Sequence, residues 1–202
     1  FKVAKITEPN LDCLSLKEIL LDLKTKGYRL VYWVVPSDQL DLIEIGRQHG
    51  GTLVDEKVVY VKEMSKTVSR EHSITYVSST YTGKSPDPDL ISLALESGKY
   101  SRFRIDRKFP KHLFEKIYTI WINRSVLKEI AWKVLVVKLE NKLLGMVTLS
   151  GQDGAGIIGL LAVSPEYRGL GIGKLLVSDA ENIFTERGFN SVQIATQRVN
   201  VL

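Results

Sequence analysis

Residues 160–180 read LLAVSPEYRGLGIGKLLVSDA. An apolar run, Leu160, Leu161, Ala162 and Val163, leads into a short polar turn. Arg168 follows, then Gly169, Gly171 and Gly173 at alternate positions, and an amphipathic helical pattern begins at once. Glycines so spaced let a backbone turn tightly and present its N–H groups outward. A helix starting there adds the positive end of its dipole. The stretch therefore predicts a strand, an anion-holding loop and a helix, with phosphate as the natural anion. Its phase excludes two other phosphate loops. The glycines do not follow G-x-G-x-x-G, and Lys174 is followed by Leu175 rather than by Ser or Thr.

The chain of 202 residues suffices for one large domain or two small ones. Its net charge of +5 suits an anionic ligand such as a nucleotide, while the scattering of Lys and Arg along the chain argues against a nucleic-acid surface. One cysteine, Cys13, allows no intrachain disulfide, which fits a reducing compartment. Cys13 reads as a small apolar filler, with no histidine in an organised motif beside it. No apolar run reaches the roughly 18 residues of a membrane span, and no signal peptide is visible. A cytoplasmic location is expected, with no membrane, nucleic-acid or metal partner. The start at Phe1 and the stop at Leu202, inside a promising pattern, suggest a fragment.

Upstream, strands and helices alternate. FKVAKI reads as a strand and SLKEILLDLKTKG as a helix with a capping box of Ser15 and Glu18, stopped by Gly27. YRLVYWVV is a buried strand, Ser37 is placed to cap a second helix, and GTLVDEKVVYVKEM is a third strand region. This predicts a small α/β domain over residues 1–64, a polar linker over 65–73 and a second domain over 74–202. In the second domain ITYVSS opens as a strand. Asp87 and Pro88 start a helix as cap and first residue. A longer helix from Phe109 carries Leu113, Ile117, Ile120 and Trp121 on one side. A hairpin turns at Glu140-Asn141-Lys142, and the helix after the glycine loop points Leu176, Ala180, Ile183 and Phe184 inward. SVQIATQ is one more strand.

Together, the apolar strand, the lead-in V-S-P-E-Y-R, the pattern R-x-x-G-x-G and the following helix resemble motif A of the GCN5-related N-acetyltransferase (GNAT) superfamily. The order of elements from Ile74 to Gln197 is similar to that superfamily's core. Within it, SRFRID from Ser101, IGLLAV from Ile158 and QIATQRVN from Gln193 resemble the dTDP-fucosamine acetyltransferases (WecD/RffC type), which also carry a small N-terminal α/β domain.

The resemblance implies a GNAT acyl-CoA acyltransferase fold of the α/β class, incomplete at its C-terminus, with acetyl-CoA as cofactor. It implies that an acetyl group passes to the amine of a nucleotide-linked amino sugar, of the dTDP-4-amino-4,6-dideoxyhexose kind, in the synthesis of a polysaccharide precursor. Another amine acceptor (amino acid, polyamine or protein N-terminus) and a catalytically silent acyl-CoA-binding module stay open beside it. Leu160, Leu161, Ala162 and Val163 would splay from Ile194, Ala195 and Thr196, admit pantetheine and supply an oxyanion N–H. Arg168 and the backbone of Gly169, Leu170, Gly171, Ile172, Gly173 and Lys174 would cradle the pyrophosphate, and Asn200 aligns with a cofactor-contacting asparagine. Tyr100, Ser101, Arg102, Phe103 and Arg104 would line the acceptor cleft, where arginine forks suit a diphosphate. The family's proton donor is a tyrosine several residues past that asparagine, beyond Leu202, so no catalytic acid is assigned. His72 and His112 are lesser candidates for a base, Tyr167 reads as packing, and a homodimer is an open expectation.

Overall fold

The computed structural model describes residues 2–64 and 76–200. The predicted linker, His72, Ile74 and Thr75 fall outside the described residues. The chain divides into two compact units, residues 1–56 and 57–202.

The first unit holds β1 (Lys2–Ile6), α1 (Cys13–Thr25), β2 (Tyr28–Trp33) and α2 (Leu40–Gln48), with β1 and β2 paired in parallel. Its core is Ile6, Leu11 and Leu16, closed over by Val31, Trp33 and Ile45. Two sequence-based caps are corrected. Asp12, not Ser15, caps α1: its carboxylate accepts from the Ser15 N–H at 2.7 Å, so the helix starts earlier than a box of Ser15 and Glu18 allows. At α2 the cap position is Gln39, whose side chain makes no capping hydrogen bond; Ser37 lies outside the helix.

The second unit forms, among its described residues, a six-stranded sheet in the order β3-β8-β7-β6-β5-β4. Its elements are β3 (Lys57–Glu63), β4 (Ser78–Thr80), α3 (Pro88–Ser97), α4 (Arg102–Ile105), α5 (Lys111–Val126), β5 (Lys133–Leu139), β6 (Lys142–Gln152), β7 (Ala155–Val163), α6 (Ile172–Glu186) and β8 (Ser191–Gln197). A 3-10 turn, Pro165–Tyr167, joins β7 to the glycine loop. β5 alternates its burial between faces. Val134 and Val136 meet Leu90, Leu93, Ala94 and Ile122 of α3 and α5, while Leu135 and Val137 meet Leu176, Ala180 and Phe184 of α6.

Here the domain boundary expected at residue 64 is corrected. β3 was expected to complete the first unit; it pairs instead antiparallel with β8, from Lys57–Gln197 to Glu63–Ser191, so the division comes before Lys57. An alternating strand pattern states which faces are apolar but not which strand it pairs with. β8 has β7 on one side, and β3 supplies its other ladder.

α3 starts as expected, with Asp87 accepting from the Leu90 N–H at 2.8 Å and Pro88 in the first turn. The inward face of α5 differs from expectation: Phe114, Tyr118 and Ile122 are buried, while Ile120 is exposed. Aromatic packing decides this. Phe114 and Tyr118 stack at 4.9 Å, Tyr118 meets the edge of Trp121 at 5.0 Å, and Trp121 meets Phe103 at 5.9 Å.

Candidate functional site: a splayed strand pair beside a glycine loop

β7 and β8 run parallel and are paired from Ala155–Ser191 to Ile158–Ile194, where the described ladder ends. Neither strand ends there. β7 continues to Val163 on its partner β6, with Gly145 opposite Val163, and β8 continues to Gln197 on β3. Each strand is thus held by its outer neighbour while the two inner edges part.

A bulge accompanies the parting. On β7 Gly159 and Leu160 together oppose the single residue Thr148 of β6, between the pairs Val147–Leu161 and Leu149–Ile158. The Leu160 N–H donates to Thr148 Oγ1 at 2.8 Å, and the Ser164 N–H donates to the Leu144 carbonyl at 2.8 Å, both on the β6 side. Past the bulge, backbone groups alternate between the two edges of the strand, so those of Leu161 and Val163 face the opening toward β8. Leu160, Leu161 and Val163 are half-buried and Ala162 is buried, so the apolar side chains pack while the strand edge stays available.

At the end of β7 the chain passes Ser164 and the 3-10 turn and reaches Arg168. Gly169 and Gly171 both have left-handed backbones, φ +77° and +80°, which other L-residues adopt only with strain. Gly171 is the cap residue of α6 and brings no side chain to occupy the first-turn amides of Ile172 and Gly173; its own carbonyl accepts from Leu175 at 2.9 Å. Leu170 is exposed at the loop's crest, and Ile172 is buried under it as an anchor. Gly173 is less constrained: a Cβ there would meet only Val163 Cγ2, at 3.6 Å.

The Arg168 guanidinium is bonded to the Glu96 carboxylate in the last turn of α3, and Lys99 Nζ reaches the same carboxylate at 2.8 Å. Burial pushes the Glu96 carboxyl up, but the hydrogen bonds and charges of Lys99 and Arg168 outweigh it and hold the group below the usual carboxylate range. Glu96 was not foreseen. Its signal is an acid in the last turn of a helix, where the dipole disfavours one.

At the far end of β8, Asn200 Nδ2 donates to Thr196 Oγ1 at 2.9 Å, and the Asn200 N–H donates to the Gln197 carbonyl. It closes a turn after the strand.

The SRFRID stretch forms α4 and its flanks. Ser101 is buried and its hydroxyl has no hydrogen-bond partner among the described residues; Asp106 is buried and accepts from the Lys108 N–H at 2.8 Å. Phe103 packs on Phe109 at 5.2 Å. The Arg102 guanidinium lies over the Phe103 ring at 4.4 Å, that of Arg104 over Phe114 at 5.3 Å, and Lys99 Nζ over Tyr100 at 4.9 Å. His112 is exposed in the first turn of α5, and Tyr167 sits under Lys142 Nζ at 5.2 Å. Cys13 departs from its reading as a filler: it is exposed, with its Sγ 3.3 Å from His49 Nε2 in the first unit. No helix among the described residues is long and apolar enough to cross a membrane.

This fold has solved relatives. A GCN5-related N-acetyltransferase from Sphaerobacter thermophilus superposes with a TM-score of 0.57 at 15% identity, over 94% of this chain and 60% of that one. A functionally unknown conserved protein from Staphylococcus epidermidis gives 0.58 at 18%, over 96% and 73%. A GCN5-related N-acetyltransferase from Kribbella flavida gives 0.54 at 13%, over 91% and 65%. The chain thus spans less than two thirds of the length of the first and third. No curated protein matches it. The sequence profile of the acetyltransferase (GNAT) family matches residues 103–201, which contain the bulged strand, the glycine loop and α6. The chain has the α/β fold of these acetyltransferases, and residues 103–201, carrying the splayed strand pair and the glycine loop, are similar in sequence to the acetyltransferase (GNAT) family.

Proposed function

We propose that the chain is an acetyl-CoA-dependent N-acetyltransferase whose cofactor lies between β7 and β8. The observation that carries the reading is the parting of two parallel strands next to an uncapped helix start. A pantetheine arm carries amides spaced to pair with a free strand edge, and a pyrophosphate needs several N–H donors at one point. Leu161 and Val163 offer the first. Gly169 to Lys174 offer the second, with Arg168 adding charge. Acetyl-CoA bound there would supply a thioester carbonyl for attack by a neutral amine, with a β7 N–H placed to meet the carbonyl oxygen as it gains charge. The proton that the amine gives up would balance the one taken by the departing CoA sulfur. The test is calorimetric titration with acetyl-CoA, followed by a screen of amines that monitors release of free thiol. A protein that binds no acetyl-CoA removes the reading.

For the acceptor we favour a nucleotide-linked amino sugar. The support is the likeness of SRFRID and QIATQRVN to the dTDP-fucosamine acetyltransferases, with the two arginines of α4. Each guanidinium rests its face on a phenylalanine ring. A guanidinium over a ring still has the edge of its fork to offer a diphosphate, and Arg104 is the exposed one of the two. Buried Ser101 ties the start of α4 through its N–H to the Gly98 carbonyl at 2.9 Å, directly after the α3 turn that holds Glu96. In this scheme Tyr100 and Phe103 frame the acceptor pocket. Amino acids, polyamines and protein N-termini belong in the same screen, since turnover of one of these and not of the sugar nucleotide would replace this acceptor.

A further inference from the structure

Thr148 is a buried hydroxyl in an otherwise apolar stretch of β6; Met146, Val147 and Leu149 around it are fully buried. A threonine there loses solvation and has to recover it through hydrogen bonding. It does so at one place, the bulge of β7, by accepting the Leu160 N–H at 2.8 Å. The same oxygen lies 2.7 Å from where a Cβ on Gly159 would stand, so the glycine is the residue that lets the hydroxyl approach. In an unbroken antiparallel ladder the acceptor for such an N–H is a backbone carbonyl. Here a side chain takes that role, and β7 is free to carry one residue more than β6.

We propose that Thr148 is the positioning residue that sets which backbone groups of β7 face the cofactor cleft. This rests on the acetyl-CoA reading above and adds to it the residue that fixes the phase of the strand. With the Leu160 N–H held on the β6 side, Leu161 and Val163 face β8. Loss of the bulge slips the register by one residue, and a slip by one exchanges the two edges of the strand. Leu160 and Ala162 then face the cleft, and the oxyanion and pantetheine partners are misplaced while the glycine loop is untouched.

The experiment compares wild type with Thr148→Val, nearly the same shape without the acceptor, and Thr148→Ser, which keeps the hydroxyl. Two probes are titrated: acetyl-CoA, which reaches β7, and ADP, which carries a pyrophosphate but no pantetheine. Thr148→Val is expected to weaken acetyl-CoA about tenfold, the loss of one to two net hydrogen bonds. ADP should change less than about twofold, and Thr148→Ser should restore acetyl-CoA binding. Equal acetyl-CoA affinity in Thr148→Val and wild type overturns the proposal, and so does an equal loss of both probes, which marks a purely structural residue. Amide hydrogen exchange on the ligand-free wild type decides the matter should the valine variant not fold. A protected Leu160 amide beside a fast Leu161 amide supports the proposal, and the reverse order overturns it. A wild type that binds neither probe fails the acetyl-CoA reading, while the exchange pattern still tests the bulge.

Discussion

Glu96 and Arg168 stand 72 residues apart in the chain, and their side chains are bonded to each other. The bond ties the last turn of α3 to the first residue of the glycine loop. Two helical layers on opposite faces of the sheet are thereby joined at one end of it, next to the opening between β7 and β8. Lys99 shares the same carboxylate oxygen, so two cations surround one acid.

The Glu96 carboxyl is depressed in the folded protein, against the upward push of burial. A depressed carboxyl contributes stability that is present above its ordinary value of 4.5 and is lost as pH falls through the lower folded value. Carboxyl NMR should place the Glu96 midpoint below 4.5. Arg168→Ala should move it upward, since one of its two cations is gone. An unmoved midpoint would mean that Lys99 alone sets it.

Gly171 is predicted to be the least replaceable residue of the loop. Gly171→Val places a branched side chain at a φ of +80° and over the first-turn amides. The backbone strain is about 1–2 kcal/mol, which should lower Tm by a few degrees and leave the protein folded. Acetyl-CoA affinity should fall at least tenfold. Gly173→Ala, whose methyl meets only Val163 at ordinary distance, should keep most of the affinity. Calorimetry on both variants separates the cap position from the helix beyond it.

The acceptor proposal predicts a split between substrates. Arg102→Ala or Arg104→Ala should raise the KM for the nucleotide amino sugar by about tenfold to a hundredfold, the loss of one charge-assisted contact of roughly 1.5–3 kcal/mol. The KM for acetyl-CoA should hardly move. A free amino sugar, with no diphosphate, should show no arginine effect. If both sugars weaken equally, α4 is a packed corner whose arginines serve Phe103 and Phe114.

Shortening the chain tests where the second unit begins. A protein starting at Lys57 keeps β3 on β8 and should fold and bind acetyl-CoA. One starting at Ser65 lacks β3 and leaves Val192, Ile194 and Thr196 of β8 without that neighbour. Its Tm should fall by on the order of ten degrees, since a whole ladder of hydrogen bonds is missing. Equal stability of the two would place β3 outside the cooperative unit.

Local chemistry accounts for what was legible in the sequence. Asp87 and Pro88 announce α3 because a carboxylate cap and a fixed φ act within four residues. The glycine loop is legible because left-handed backbone calls for glycine at specific positions, and Gly169 and Gly171 are those positions. The partner of β3 was not legible, because pairing across the length of a domain leaves no local mark on a strand. The inward face of α5 was misjudged because Leu113 and Ile117 are more apolar by type than Tyr118, yet ring stacking carries Tyr118 inside. Thr148 and Glu96 each had a signal, a hydroxyl among aliphatic residues and an acid at a helix end. Neither signal names its partner.

The place of β3 also bears on synthesis. The strand leaves the ribosome early, whereas β8 comes near the end of the described chain, and at roughly 5–20 residues per second the interval is on the order of ten seconds. During it Val59, Tyr60 and Val61 have no β8 to pair with, and they stay exposed even in the finished fold. Lys57, Lys62 and Glu63 flank them with charge on a seven-residue strand, the arrangement that discourages a nascent strand from joining a neighbouring chain. Neutralising Lys57 and Lys62 should therefore show first as a loss of soluble yield during expression, before any change in the catalytic properties of the molecules that complete the sheet.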